Sequence, residues 1–90
     1  MSKRADLLDK AKSIIDGERR ERYGEPEDVF TLIAFMWSDY CDHNFTALDV
    51  ANMMMLLKIA RSRSNPEYQD NYIDIAGYAA CAGEIAAGED

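Results

Sequence analysis

Asp70-Asn71-Tyr72-Ile73-Asp74-Ile75-Ala76-Gly77-Tyr78-Ala79-Ala80-Cys81 is the stretch whose reading decides the fold. Carboxylates in its first turns and a run of small residues behind them make it an amphipathic helix. On a helix, Asp70 and Asp74 share one face about one turn apart. Like charges at that spacing repel by roughly a few tenths of a kcal/mol. A cation between them removes the repulsion, and it is either a lysine or arginine from another helix or a metal ion. Behind the acids, Ala76, Gly77, Ala79, Ala80, Ala82 and Gly83 leave little side-chain bulk. Each glycine costs up to about 1 kcal/mol of helix propensity. Close approach of a neighbouring helix at Gly77 and Gly83 is the expected compensation.

Working outward, three further helices precede this one. The first runs from about Arg4 to Asp16, with Leu7, Leu8, Ala11, Ile14 and Ile15 as its apolar stripe and Gly17 as its stop. A basic segment, Arg19-Arg20-Glu21-Arg22-Tyr23-Gly24, ends in a turn. Pro26 then fits a first helical position, with Glu27 and Asp28 at the positive end of the dipole. The second helix carries Val29, Phe30, Ile33, Trp37 and Cys41 on one side and Leu32, Met36 and Tyr40 on another, and His43-Asn44 breaks it. Thr46-Ala47-Leu48-Asp49 has the form of a capping box opening the third helix. From Val50 to Ala60 that helix includes Met53-Met54-Met55-Leu56-Leu57, apolar nearly all round, and is expected to be buried on every side. Arg61 through Pro66 closes it, and Asn65-Pro66 starts the fourth helix, which reaches about Ala87. The fold class is all-α, a four-helix, bundle-like single domain spanning 1–90.

Composition narrows the function classes. Ninety residues form a small core, yet 48% of them are hydrophobic, which argues for a homo-oligomer that buries Trp37, Met54 and their neighbours. A net charge of −7 disfavours non-specific nucleic-acid binding, because phosphate backbones require a positive surface. No stretch reaches the roughly 18 apolar residues of a membrane span. Cys41 and Cys81 lie in apolar helical stretches outside any ligand-type spacing, and read as buried free thiols. Together with the absence of a signal-peptide pattern behind Lys3 and Arg4, they point to a cytoplasmic protein.

Two constellations of residues bear on chemistry. Asp49-x-x-Asn52 and Asn71-x-x-Asp74 are paired oxygen donors on the third and fourth helices. Antiparallel helices bring such pairs to one hard cation such as Mg²⁺, with Asp70 as a third negative charge. The competing reading keeps Asp49 as the capping-box acid and pairs Asp70 and Asp74 with Lys58 and Arg61. In the second constellation, Arg19, Arg20 and Arg22 before the Tyr23-Gly24 turn, with Lys58, Arg61 and Arg63 at the end of the third helix, offer guanidinium and ammonium groups to a phosphate. The alternative is that cations near a helix C-terminus only complement its dipole. Tyr23, Trp37 and Tyr78 are of the type that stacks a base, the alternative being aromatics of the bundle core.

At Arg22-Tyr23-Gly24-Glu25-Pro26, Trp37-Ser38-Asp39-Tyr40, Asp49-Val50-Ala51-Asn52-Met53-Met54, Leu57-Lys58-Ile59-Ala60-Arg61 and Asp70 through Tyr78, the chain resembles an uncharacterised family of small phage and prophage proteins. More weakly, it resembles the MazG-type all-α nucleotide pyrophosphohydrolases and phage nucleotide-modification-associated domains. That likeness implies a MazG-like fold and a nucleotide ligand held by Arg22, Tyr23, Lys58, Arg61 and Tyr78. It also implies a Mg²⁺ site at the positions of Asp49, Asn52, Asn71 and Asp74, where the acids Asp49 and Asp74 with Asp70 would hold the ion, and, for an enzyme, Mg²⁺-dependent release of pyrophosphate from a nucleoside triphosphate. Asn52 and Asn71 stand where MazG-type enzymes carry acids. The other function the phage resemblance implies is non-enzymatic: an accessory protein that binds a host defence protein or a signalling nucleotide.

Overall fold

The computed structural model describes residues 2–17 and 24–88, and these are helical with no strand among them. Helix α1 spans Lys3–Asp16, α2 Pro26–Cys41, α3 Ala47–Ser64 and α4 Gln69–Ala86. Each start follows a local rule. Ser2 caps α1 by accepting from the Ala5 N–H. Pro26 occupies the first turn of α2 with Glu27 and Asp28 beside it. At α3 the capping box is complete: the Asp49 N–H donates to Thr46 Oγ1 and the Thr46 N–H donates to Asp49 Oδ2, both at 3.0 Å. Replacing Thr46 with alanine leaves the Asp49 N–H without its acceptor. The expected cost is about 1 kcal/mol, read as a lower urea midpoint at unchanged slope.

The connections are tight. Asp42 ends α2 in the left-handed region at φ 54°, a conformation that aspartate tolerates better than most residues, and its N–H reaches Ser38 O. Ser38 Oγ then accepts from the Phe45 N–H at 2.8 Å. Phe45 meets Trp37 edge-on at 6.3 Å between ring centroids. Between α3 and α4, the Tyr68 N–H closes a turn onto Asn65 O, and the Tyr72 hydroxyl donates to Pro66 O. A four-residue connection of this kind makes α3 and α4 an antiparallel hairpin. It is the most extensive helix pair; α1 packs on α4 and α2 on α3.

The structure corrects several sequence-based expectations. The third helix does not close at Arg61 but runs to Ser64, since nothing before Asn65-Pro66 interrupts it. Asn65-Pro66 belongs to a turn rather than to the start of α4, which begins at Gln69. Helix α3 is not buried on every side: Val50 and Ala51 are fully enclosed, while Met53, Leu56, Leu57 and Ile59 are exposed. Trp37 and Met54 are half-buried and pack against the protomer's own core. Of the two thiols, Cys41 is exposed and Cys81 half-buried. Gly77 faces α1, where an added Cβ would sit 3.9 Å from Ile15 Cγ1, an ordinary contact, and one at Gly83 would meet nothing within 4 Å. The small residues of α4 therefore leave space more than they mediate tight contact.

Phe30, Ala34, Val50, Ala51 and Ala82 form the central cluster, and Ala11 and Ile73 are buried as well. Four of those seven are alanines, so the interior holds little apolar bulk. No helix among the described residues is long and apolar enough to cross a membrane.

Candidate functional site

Between α1, α2 and α4 lies a cavity of about 360 Å³. Its walls are apolar: Ile14 and Ile15 from α1, Val29, Phe30 and Ile33 from α2, Ile73 and Tyr78 from α4. The two rings in that wall, Phe30 and Tyr78, lie 6.0 Å apart with their planes tilted by 33°. Gly77 helps to open the space, because a larger side chain there would project toward Ile15. At the mouth, Gly24 has φ 82°, a backbone that L side chains rarely adopt, so glycine is the residue that makes this turn.

Asp74 is the carboxylate of this cavity among the described lining residues. Its Oδ2 lies 2.9 Å from Lys58 Nζ, with both side chains about 15% exposed. This contact fixes the register of the α3–α4 hairpin: the first turns of α4 face the last turns of α3. The same register separates the other acids. Asp49 lies nine positions before Lys58, about 13 Å along the helix axis. Asp70 sits by the turn joining the hairpin, about 20 Å from Asp49 at the hairpin's other end.

The expected cluster of Asp49, Asp70 and Asp74 around Mg²⁺ therefore does not assemble, and among the described residues no three His, Cys, Asp or Glu side chains are grouped to hold a metal ion. Asp49 is engaged in the capping box. Asp70 is exposed and accepts a hydrogen bond from the Tyr68 hydroxyl at 3.1 Å. That bond, and then the charge of Asp70, push the Tyr68 phenol above its ordinary value. Asn52 is exposed and Asn71 buried, so the two amides do not share an environment. A donor set this scattered does not fit Mg²⁺, which requires near-octahedral oxygens close together.

The structure divides the expected ligand-binding residues. Tyr78 is part of the cavity wall, while Lys58 does not line it but pairs with Asp74, which does. Arg61 is exposed on the last turn of α3. Arg22 and Tyr23 lie outside the described residues; in the chain they directly precede Gly24. The cavity's aliphatic wall was visible in the sequence only as core stripes, and Cys81 only as a core thiol. Cys81 lines the cavity, where burial and then the Glu84 carboxylate raise its pKa. It is a neutral wall group.

Residues 6–86 match the model of the domain of unknown function DUF6378. The chain belongs to that family. It is 40% identical over 79 residues to the gene 55 protein of Mycobacterium phage D29, covering 88% of this chain and 52% of that protein. It is 42% identical over 85 residues to the gene 55 protein of Mycobacterium phage L5, covering 93% of this chain and 54% of that one. The chain thus spans about half the length of the curated phage relatives it matches. No solved structure matches it.

Proposed function

We propose that this DUF6378 domain is a homo-oligomeric binding protein that takes a nucleotide-like ligand into the cavity between α1, α2 and α4. The observation that carries this reading is the cavity itself: a half-open, largely apolar space of about 360 Å³ with an aromatic pair in one wall and Asp74, the partner of Lys58, in another. Ligand sites are built this way, mostly apolar with a few placed polar groups. A heterocycle packs against Phe30 and Tyr78, while the exposed Arg61 attracts phosphate and Lys58 balances the Asp74 carboxylate. In this reading Arg22 and Tyr23, next to Gly24 in the chain, complete the phosphate side. Mg²⁺ enters as the counter-ion of the ligand's phosphates, not as an ion held by Asp49, Asp70 and Asp74.

Binding without turnover is the form of the reading that the acids favour. Asp49 caps a helix and Asp74 is neutralised by Lys58, so neither is poised to activate water for pyrophosphate release. The same residues suit an accessory protein that sequesters a signalling nucleotide.

Melting curves with nucleoside mono-, di- and triphosphates, each with and without Mg²⁺, test the reading. A ligand present at about ten times its Kd stabilises by roughly 1.4 kcal/mol, which raises the Tm of so small a domain by several degrees. Ile14→Trp, which fills the cavity, should remove that shift while leaving the fold intact. If no nucleotide moves the Tm of the natural chain, the ligand reading is wrong.

A further inference from the structure

Each of α2 and α3 buries one side in the core and turns an apolar stripe outward. On α2 the stripe is Leu32, Phe35, Met36 and Tyr40, spaced i, i+3, i+4, i+8, and from 60% to 91% exposed. On α3 it is Met53, Leu56 and Leu57, with Ile59 beside them, from 38% to 63% exposed. Repeats of this spacing are how a helix presents itself to another helix. Taking about 150–250 Å² for each large side chain, the two stripes leave on the order of 800 Å² of apolar surface in water.

That area is comparable to the roughly 800 Å² that each partner buries in a standard stable interface. Among the described residues, Val50 is the largest side chain that is fully enclosed. A protomer with so small an interior gains most from burying more of its own kind of surface.

We propose that the outward stripes of α2 and α3 are the interface with a second copy of this chain, closing a two-fold dimer in which each protomer contributes these two helices. A two-fold contact needs a self-complementary patch, and the eight stripe residues carry no charge that would meet itself across the axis. A second copy also supplies the same kind of stripe as the one it covers, so apolar surface meets apolar surface. The proposal gives a surface to the assembly part of the reading above and is independent of its ligand part. No stripe residue lines the cavity; α2 gives Val29, Phe30 and Ile33 to that wall instead.

The test is solution mass by light scattering over a hundredfold range of concentration, together with the concentration dependence of the Tm. The natural chain should show twice 10.2 kDa and a Tm that rises with concentration. Phe35→Lys and Leu56→Lys should each lower the association constant at least a hundredfold. If either variant fails to fold alone, the concentration-dependent Tm of the natural chain supports the dimer. A natural chain of 10.2 kDa at tens of micromolar, with a Tm independent of concentration, overturns the proposal. So does a Lys variant of either stripe that folds and dimerises like the natural chain. Nucleotide-induced Tm shifts are read separately, so the loss of either result leaves the other standing.

Discussion

Asp74→Ala should destabilise the protein by about 2–4 kcal/mol, because it leaves the Lys58 ammonium in a largely enclosed position without its carboxylate. The size follows from burial. An exposed ion pair contributes about 0–1 kcal/mol, since water solvates either partner once the other is gone. At about 15% exposure, neither member of this pair has that recourse. Urea unfolding of the natural chain and the variant at equal protein concentration gives the difference directly. A loss under about 0.5 kcal/mol would show that water reaches the ammonium freely. The double variant Asp74→Leu with Lys58→Met should recover most of the loss, because replacing both charges by apolar groups is often neutral or favourable. Asp74→Asn separates this account from a metal site. It should destabilise here, since an amide offers Lys58 no charge, whereas relief of carboxylate repulsion at an empty metal site would stabilise.

What was legible in the sequence were features decided within one or two helical turns. Thr46 and Asp49 announce the start of α3 because the capping box uses only its own four residues. Pro26 with Glu27 and Asp28 announces α2 in the same way. At Asn65-Pro66 a turn stands where the sequence suggests a helix start, because proline fits the first position of a helix and the second of a turn equally well. For Met53-Met54-Met55-Leu56-Leu57, the letters are identical whether the helix is enclosed by its own protomer or half-covered and facing outward. Periodicity gives the sides of a helix, not what lies against them.

The acids show the same limit. Spacing places Asp70 and Asp74 on one helix face, and Asp74 does meet a cation. How far Asp49 lies from either depends on the register of the α3–α4 hairpin, which Lys58 and Asp74 reveal only once they are in contact. The cavity was illegible for a related reason. Ile14, Phe30 and Tyr78 are core-type residues, and the space among them arises from small neighbours such as Gly77.

Phe30→Ala should cost about 3–4 kcal/mol, near the middle of the range for removing a buried aromatic ring. Phe30 is the largest of the buried core side chains and lies between the central cluster and the cavity wall. Its loss removes the contact with Tyr78 along with the ring's own burial. The surroundings have little means of closing the gap. Ala34, Ala51 and Ala82 carry no side-chain atoms beyond Cβ to move into it, and an existing cavity of about 360 Å³ adjoins it. A 90-residue domain has a total stability of about 5–13 kcal/mol, so the loss is a substantial fraction of the whole. Thermal melts at fixed concentration should show a fall of more than 10 °C, at about 4–8 °C per kcal/mol for a domain of this size. Phe30→Leu retains much of the volume and should cost less than half as much. Equal losses for the two variants would mean that the aromatic pair, rather than the filling of space, is what Phe30 contributes.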